Sequence, residues 1–71
     1  IQVSNNELDL SLKFETVMDK IDLISNYSIS KFDKDFIYYE VIFNGTPKNF
    51  INLMKIQDYT FDTQKKIWVL R

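Results

Sequence analysis

The sequence predicts an α+β domain, and three observations carry that expectation. Segments with the two-residue apolar alternation of strands are interspersed with segments of helical spacing. Apolar residues make up 45% of the 71-residue chain and run through its whole length, with six Phe, four Tyr and one Trp to fill a core. One Gly and one Pro interrupt the chain, and both fall in a single short turn signal, Asn44-Gly45-Thr46-Pro47. The length fits one domain, over 1–71. The chain opens on Ile1 rather than Met, so the expectation is a domain cut from a longer protein.

The first segment carries two periods at once. Leu8, Leu10, Leu12 and Phe14 alternate with polar residues as in a strand, while Leu10, Phe14, Val17, Ile21 and Ile24, with Met18 beside them, follow helix spacing. One helix over 6–25 and a strand–helix pair meeting near Phe14 both fit. The pair is favoured, because alternation over four apolar positions is rare inside a helix. The helix then covers 14–25, with Glu15 near its positive end and Asn26 as the residue that leaves it.

Two strands follow. The segment 27–32 is short, Phe36–Phe43 is long and rich in aromatic and β-branched residues, and Asp33-Lys34-Asp35 between them reads as a hairpin turn. Ile37, Tyr39, Val41 and Phe43 form the more apolar face of the long strand and are placed on the core. Phe36, Tyr38, Glu40 and Ile42 form the other face. Thr46 is suited to cap a second helix and Pro47 to open it, since a first-turn residue needs no N–H. That helix covers 47–56 with a stripe of Phe50, Leu53, Met54 and Gln57. Segments 59–63 and 66–70 read as strands joined near Gln64-Lys65. The order is β-α-β-β-α-β with an extra short strand before the last. It suggests a ferredoxin-like split βαβ arrangement, two helices packed on one face of an antiparallel sheet. An α-β-β-α-β layout without the first strand is the alternative.

The chain has no Cys and no His. That removes disulfides, Cys/His metal clusters, and nucleophilic catalysis of the Ser-His or Cys-His type. Acid–base work falls to carboxylates. Asp33 and Asp35 flank one lysine at a turn and read as turn formers, and with Glu40 downstream they lack the glycine and further oxygen ligands of a calcium loop. Asn44-Gly45-Thr46-Pro47-Lys48 has one glycine and no GK[ST] ending, so it reads as a helix cap rather than a phosphate loop. Glu15, Asp19 and Asp22 read as a solvated acidic face. Asn26-Tyr27-Ser28 and Asn44-Gly45-Thr46 fit the glycosylation tripeptide, which arises often by chance. The expectation is a non-enzyme with no cofactor and no metal.

The net charge is −1, from nine basic and ten acidic residues. Residues 1–33 hold three Lys against six Asp/Glu, and 34–71 hold six Lys/Arg against four. That mild asymmetry gives no basic footprint for nucleic acid or anionic lipid. No apolar run reaches the length of a membrane span. Lys34-Asp35-Phe36-Ile37-Tyr38-Tyr39 invites comparison with an RNA-binding strand, with Phe36 and Tyr38 on a helix-free face. Asp35 stands where that pattern has glycine, and the pI of about 5.2 opposes it.

The run 12–29 (LKFETVMDKIDLISNYSI), then 35–45 (DFIYYEVIFNG), 50–54, and the closing Ile67-Trp68-Val69-Leu70-Arg71 resembles the C-terminal module of an uncharacterised family of exported proteobacterial proteins, a domain of unknown function. The shared pattern is a helix leading into a small apolar strand, a D-x-apolar alternation ending in glycine, a Leu-containing helix, and a last strand ending in an aromatic and Arg. It covers most of the chain and is mainly apolar spacing. The resemblance implies a periplasmic or cell-envelope location in a bacterium and no catalytic residue.

The function expected is a non-catalytic protein-interaction or accessory module of a larger bacterial envelope protein. Its partner is a protein or a neighbouring domain, with no nucleic acid and no transmembrane segment in this stretch. Its contact residues are Phe36, Tyr38 and Ile42 on the helix-free face, or an edge strand. The alternative is a small-ligand or RNA-binding domain using the same face.

Overall fold

The structure, a computed structural model, describes residues 1–5 and 9–71. Among them the elements run β1 (Gln2–Ser4), α1 (Leu10–Asp19), β2 (Ile24–Phe32), β3 (Phe36–Phe43), α2 (Pro47–Ile56), β4 (Phe61–Asp62) and β5 (Val69–Leu70). The strands form one sheet in the order β2-β3-β1-β5-β4. The fold is α+β. The sheet is mixed: β3 pairs antiparallel with both β2 and β1, whereas β5 pairs parallel with β1 and antiparallel with β4.

That parallel pairing is where the sheet departs from the antiparallel, ferredoxin-like arrangement expected. In the first half, β3 lies between β1 and β2, which are joined through α1. In the second half the chain leaves α2 for the outer edge, makes β4, and turns back so that β5 enters beside β1. The extra short strand therefore reverses the direction of the last one.

The first strand also lies elsewhere than expected. The favoured strand–helix junction near Phe14 is corrected: α1 already begins at Leu10 and ends at Asp19. Leu8, part of the alternation, lies outside the described residues. Leu10, Phe14, Val17 and Met18 win because they form one stripe on the core, with Phe14 and Met18 fully buried. Leu12, which fitted only the strand period, points to solvent. The actual first strand is three residues long and contributes one buried side chain, Val3. So short a segment carries no period to read. Its extended state comes from being held between β3 and β5.

β2 starts at Ile24, three residues before the expected strand, and Asn26 belongs to it rather than to a helix end. Phe36–Phe43 and Pro47–Ile56 have the expected bounds. The turn between β2 and β3 is built as its aspartates suggested. Asp33 Oδ1 accepts from the N–H groups of Asp35 at 2.9 Å and Phe36 at 2.8 Å. Thr46 caps α2 by accepting from the Asn49 N–H at 3.2 Å, and Pro47 occupies its first turn. The strands expected over 59–63 and 66–70 shrink to two residues each, because Asp62 Oδ1 takes the Gln64 N–H and turns the chain at once.

The core joins Val3, Tyr39 and Leu70 from the sheet to Phe14 and Met18 of α1 and Phe50 and Met54 of α2. Both helices thus cover the same face, the one carrying Ile37, Tyr39, Val41 and Phe43. Phe14 sits at the aromatic centre, edge-on to Tyr39, Tyr59 and Phe61 at 5.5, 5.9 and 6.2 Å between ring centroids. Phe50 extends the cluster to Phe43, Phe61 and Trp68. No helix among the described residues is long and apolar enough to cross a membrane.

Candidate functional site

β3 places Phe36, Tyr38 and Ile42 on the face turned away from the helices, because they alternate with the core-facing Tyr39. The structure brings two of the three together. The Phe36 and Tyr38 rings lie 6.3 Å apart in a tilted contact, and both are half-buried. Ile42 stands about 13 Å along the strand from Tyr38 at the usual rise per residue, with 53% of its surface exposed.

Lys31, from the neighbouring β2, reaches over the Tyr38 ring with Nζ 5.2 Å from the centroid. A contact of that kind at an exposed site is worth about 0.5–1 kcal/mol. Gln2 of β1 lies directly opposite Tyr38. Beside the ring a shallow groove of about 380 Å³ opens between Gln2, Ser30, Lys31, Glu40 and Ile67. The face therefore offers two aromatic rings in tilted contact, one cation and one exposed carboxylate on a sheet surface. Such a surface can bind by apolar contact and by charge.

Several of the carboxylates among the described residues are engaged elsewhere. Asp33 is committed to its turn, and the two backbone N–H groups it accepts hold its carboxyl below the usual aspartate value. Among the described residues no cluster of three or more carboxylates converges as a cation site. Glu15 and Asp19, expected on a solvated face, are partners of buried or half-buried phenols. Glu15 Oε2 accepts from the Tyr39 hydroxyl at 2.6 Å, and Asp19 Oδ1 accepts from the Tyr27 hydroxyl at 2.8 Å. Burial, and then the bond to Glu15, pushes the Tyr39 phenol well above its ordinary range. Tyr27 is raised as well, first by its bond to Asp19. The signal for these pairs was in the sequence: a core-facing tyrosine needs a partner for its hydroxyl.

Sequence reasoning missed other exposed apolar residues and one groove. Phe32 is 74% exposed and Ile29 51%; they share the row of Ile37 and Tyr39 on β2 but lie beyond the cover of the helices. The edge formed by β2 is interrupted by irregularities at Ser25 and Ser30, whose hydroxyls turn back onto the carbonyls of Ile42 and Tyr38. Bulges and the adjacent Lys31 are features that discourage edge-to-edge pairing. The groove, of about 450 Å³, opens beside the end of β3 between Val41, Phe43, Phe50 and Trp68.

No protein family, curated protein or solved structure matches the chain.

Proposed function

We propose that this domain is a non-catalytic protein-interaction module that docks a protein partner or a neighbouring domain on its helix-free sheet face. The observation that carries this reading is the Phe36–Tyr38 ring pair, capped by Lys31, on a face that neither helix covers. A sheet face with large apolar side chains and no second layer is an energetic liability unless something packs on it. Phe36 and Tyr38 supply rigid area at low entropy, and Lys31 and Glu40 on either side supply charge for orientation. The resemblance given above supports placing the module in a bacterial envelope protein, in the periplasm or at the cell envelope.

A photo-crosslinking phenylalanine at position 38 or 42 of the full natural polypeptide, in its own cell, tests the reading. The expected result is one defined protein adduct from both positions and none from position 55, on the exposed side of α2. Absence of an adduct at 38 and 42, or equal labelling at 55, contradicts it. Replacing Phe36 and Tyr38 together by serine is expected to abolish the adduct at 42 while the domain stays folded, since the core lies on the opposite side of the sheet. The same face presents aromatic rings on a sheet, on which an RNA-binding domain stacks bases. A single-stranded RNA titration at low salt that moves the Phe36 and Tyr38 resonances transfers the face to that class of ligand.

A further inference from the structure

Five residues form one row across the helix-free face, one from each strand of the sheet. Lys31 of β2 pairs with Tyr38 of β3, Tyr38 with Gln2 of β1, Gln2 with Val69 of β5, and Val69 with Asp62 of β4. Partners in register carry their side chains to the same side of a sheet. Their neighbours in sequence, Val3, Tyr39, Leu70 and Phe61, pack into the core on the other side. From edge to edge the row reads cation, aromatic ring, amide, small aliphatic group, anion. With strands about 4.8 Å apart it spans about 19 Å.

That order is complementary to its own reverse. A two-fold axis along β1, in the plane of contact, turns a second copy over and exchanges the two edges of its sheet. Lys31 then meets the second copy's Asp62, Tyr38 meets its Val69, and Gln2 lies opposite Gln2 on the axis. Each charge meets its opposite, and the large ring meets a small side chain. The amide, with donors and an acceptor of its own, satisfies its copy. The next row extends the match. Phe36 lies two residues from Tyr38, and Arg71 two residues from Val69 in the same direction. The axis therefore lays Arg71 over the second copy's Phe36 ring, a stacking its planar guanidinium favours. The Arg71 side chain is 64% exposed and holds Asp62 only loosely, at 3.7 Å. Asp62 itself is fixed at the edge by the Gln64 N–H. On the other flank the exposed Glu40 falls opposite the second copy's Ile67, a charge the axis leaves without an opposite.

We propose that two copies of this chain pack sheet on sheet through this row, as an isologous dimer with its axis along β1. The proposal rests on the docking-face reading and names its partner. A foreign partner asks for no two-fold order in the row; a second copy does. Packed sheets cross at roughly 30°, and the long Lys31 side chain spans the offset this puts at the ends of the row. Along β3 the face is about 26 Å long, so the contact covers on the order of 500 Å² per copy. That is the lower limit for a specific interface, ~1,000 Å² in total. The dimer is therefore weak, with a Kd on the order of 0.1 mM.

The test uses the full natural polypeptide at about 1 mM, above that Kd, in sedimentation equilibrium and in a mixture of isotope-labelled and unlabelled chains. Within one chain Tyr38 and Val69 are two strand spacings apart, about 10 Å. Filtered NMR contacts between the Tyr38 ring of one copy and the Val69 methyls of the other are expected. Lys31→Glu and Asp62→Lys are each expected to weaken the dimer at least about fivefold, because the pair occurs twice by symmetry and becomes repulsive. Lys31→Glu chains mixed with Asp62→Lys chains are expected to recover the parent affinity as a heterodimer. A chain that is monomeric at this concentration, a dimer without Tyr38–Val69 contacts between copies, or no heterodimer from two variants that melt like the parent overturns the proposal. A monomer whose crosslinker at position 38 captures a different protein overturns the dimer and keeps the docking face. A monomer with no adduct overturns both.

Discussion

The Tyr39 hydroxyl donates to the Glu15 carboxylate across 2.6 Å and so bolts the middle of β3 to the first turns of α1 at the edge of the core. Tyr39 is buried in the sheet, and its phenol is raised above its ordinary value of 10.0 first by burial and then by Glu15. A group whose folded value is raised holds its proton longer in the folded state. Its contribution is fully present below the unfolded value and is lost as pH climbs through the folded one. Tyr27, tied to Asp19, acts in the same direction. Stability should therefore fall as pH rises above ~10, the ordinary tyrosine value. Tyr39→Phe should flatten that alkaline loss while costing about 1.5–3 kcal/mol at neutral pH, the range for a hydrogen bond to a charged group. Denaturant melts at a series of pH values read both effects, and an unchanged alkaline slope in Tyr39→Phe contradicts the assignment.

Asp33 works in the opposite sense. Its carboxyl is held low by the N–H groups of Phe36 and Asp35, so what it contributes is present above the ordinary aspartate value and lost as pH falls through its own lowered one. A carboxyl-carbon NMR titration should find the Asp33 midpoint below the ordinary aspartate value. Asp33→Asn should preserve the β2–β3 turn better than Asp33→Ala, because the amide oxygen still accepts from both N–H groups.

Phe14 has no surface exposed and touches three other rings. Phe14→Ala should cost about 3–5 kcal/mol. A chain of this size has a total stability of about 4–11 kcal/mol, so the loss removes a large part of it and the variant should melt far below the parent. Phe14→Leu should stay folded with a lower melting temperature. Cooperative melting of Phe14→Ala near the parent temperature would show that the core is centred elsewhere.

α2 ends in a Schellman arrangement: the Tyr59 N–H donates to the Met54 carbonyl at 2.9 Å and the Asp58 N–H to the Lys55 carbonyl at 3.0 Å. Asp58 adopts the left-handed conformation this needs, with φ 66°. A carboxylate at a helix C-terminus also opposes the helix dipole. Asp58→Gly should stabilise the domain by up to about 1 kcal/mol, and Asp58→Val should destabilise it. Chemical denaturation of the two variants gives opposite signs if this geometry holds.

Much of the fold was legible where several local signals agreed. The limits of β3 and α2, the Asp33 turn and the Thr46-Pro47 cap each had a side chain that both suited the element and made the observed bond. The segment up to Phe14 failed because Leu10 and Phe14 fit two periods, and only packing in the core with Met18 and Val17 decides between them. β1 and β5 were illegible as sheet partners for a different reason. Strands of three and two residues have no period, and their parallel pairing is set by the β4–β5 reversal, a long-range event. For the candidate site, alternation along β3 was enough to put Phe36, Tyr38 and Ile42 on one face. Neither Lys31 over the Tyr38 ring nor the groove beside Val41 was readable, since both depend on which strands become neighbours.

Photo-crosslinking from position 38 of the full natural polypeptide tests the central claim most directly, because it reads the helix-free face itself. The docking face predicts a defined protein adduct from position 38 that is absent from position 55, on the exposed side of α2. Equal labelling at the two positions, or no adduct at position 38, would contradict it.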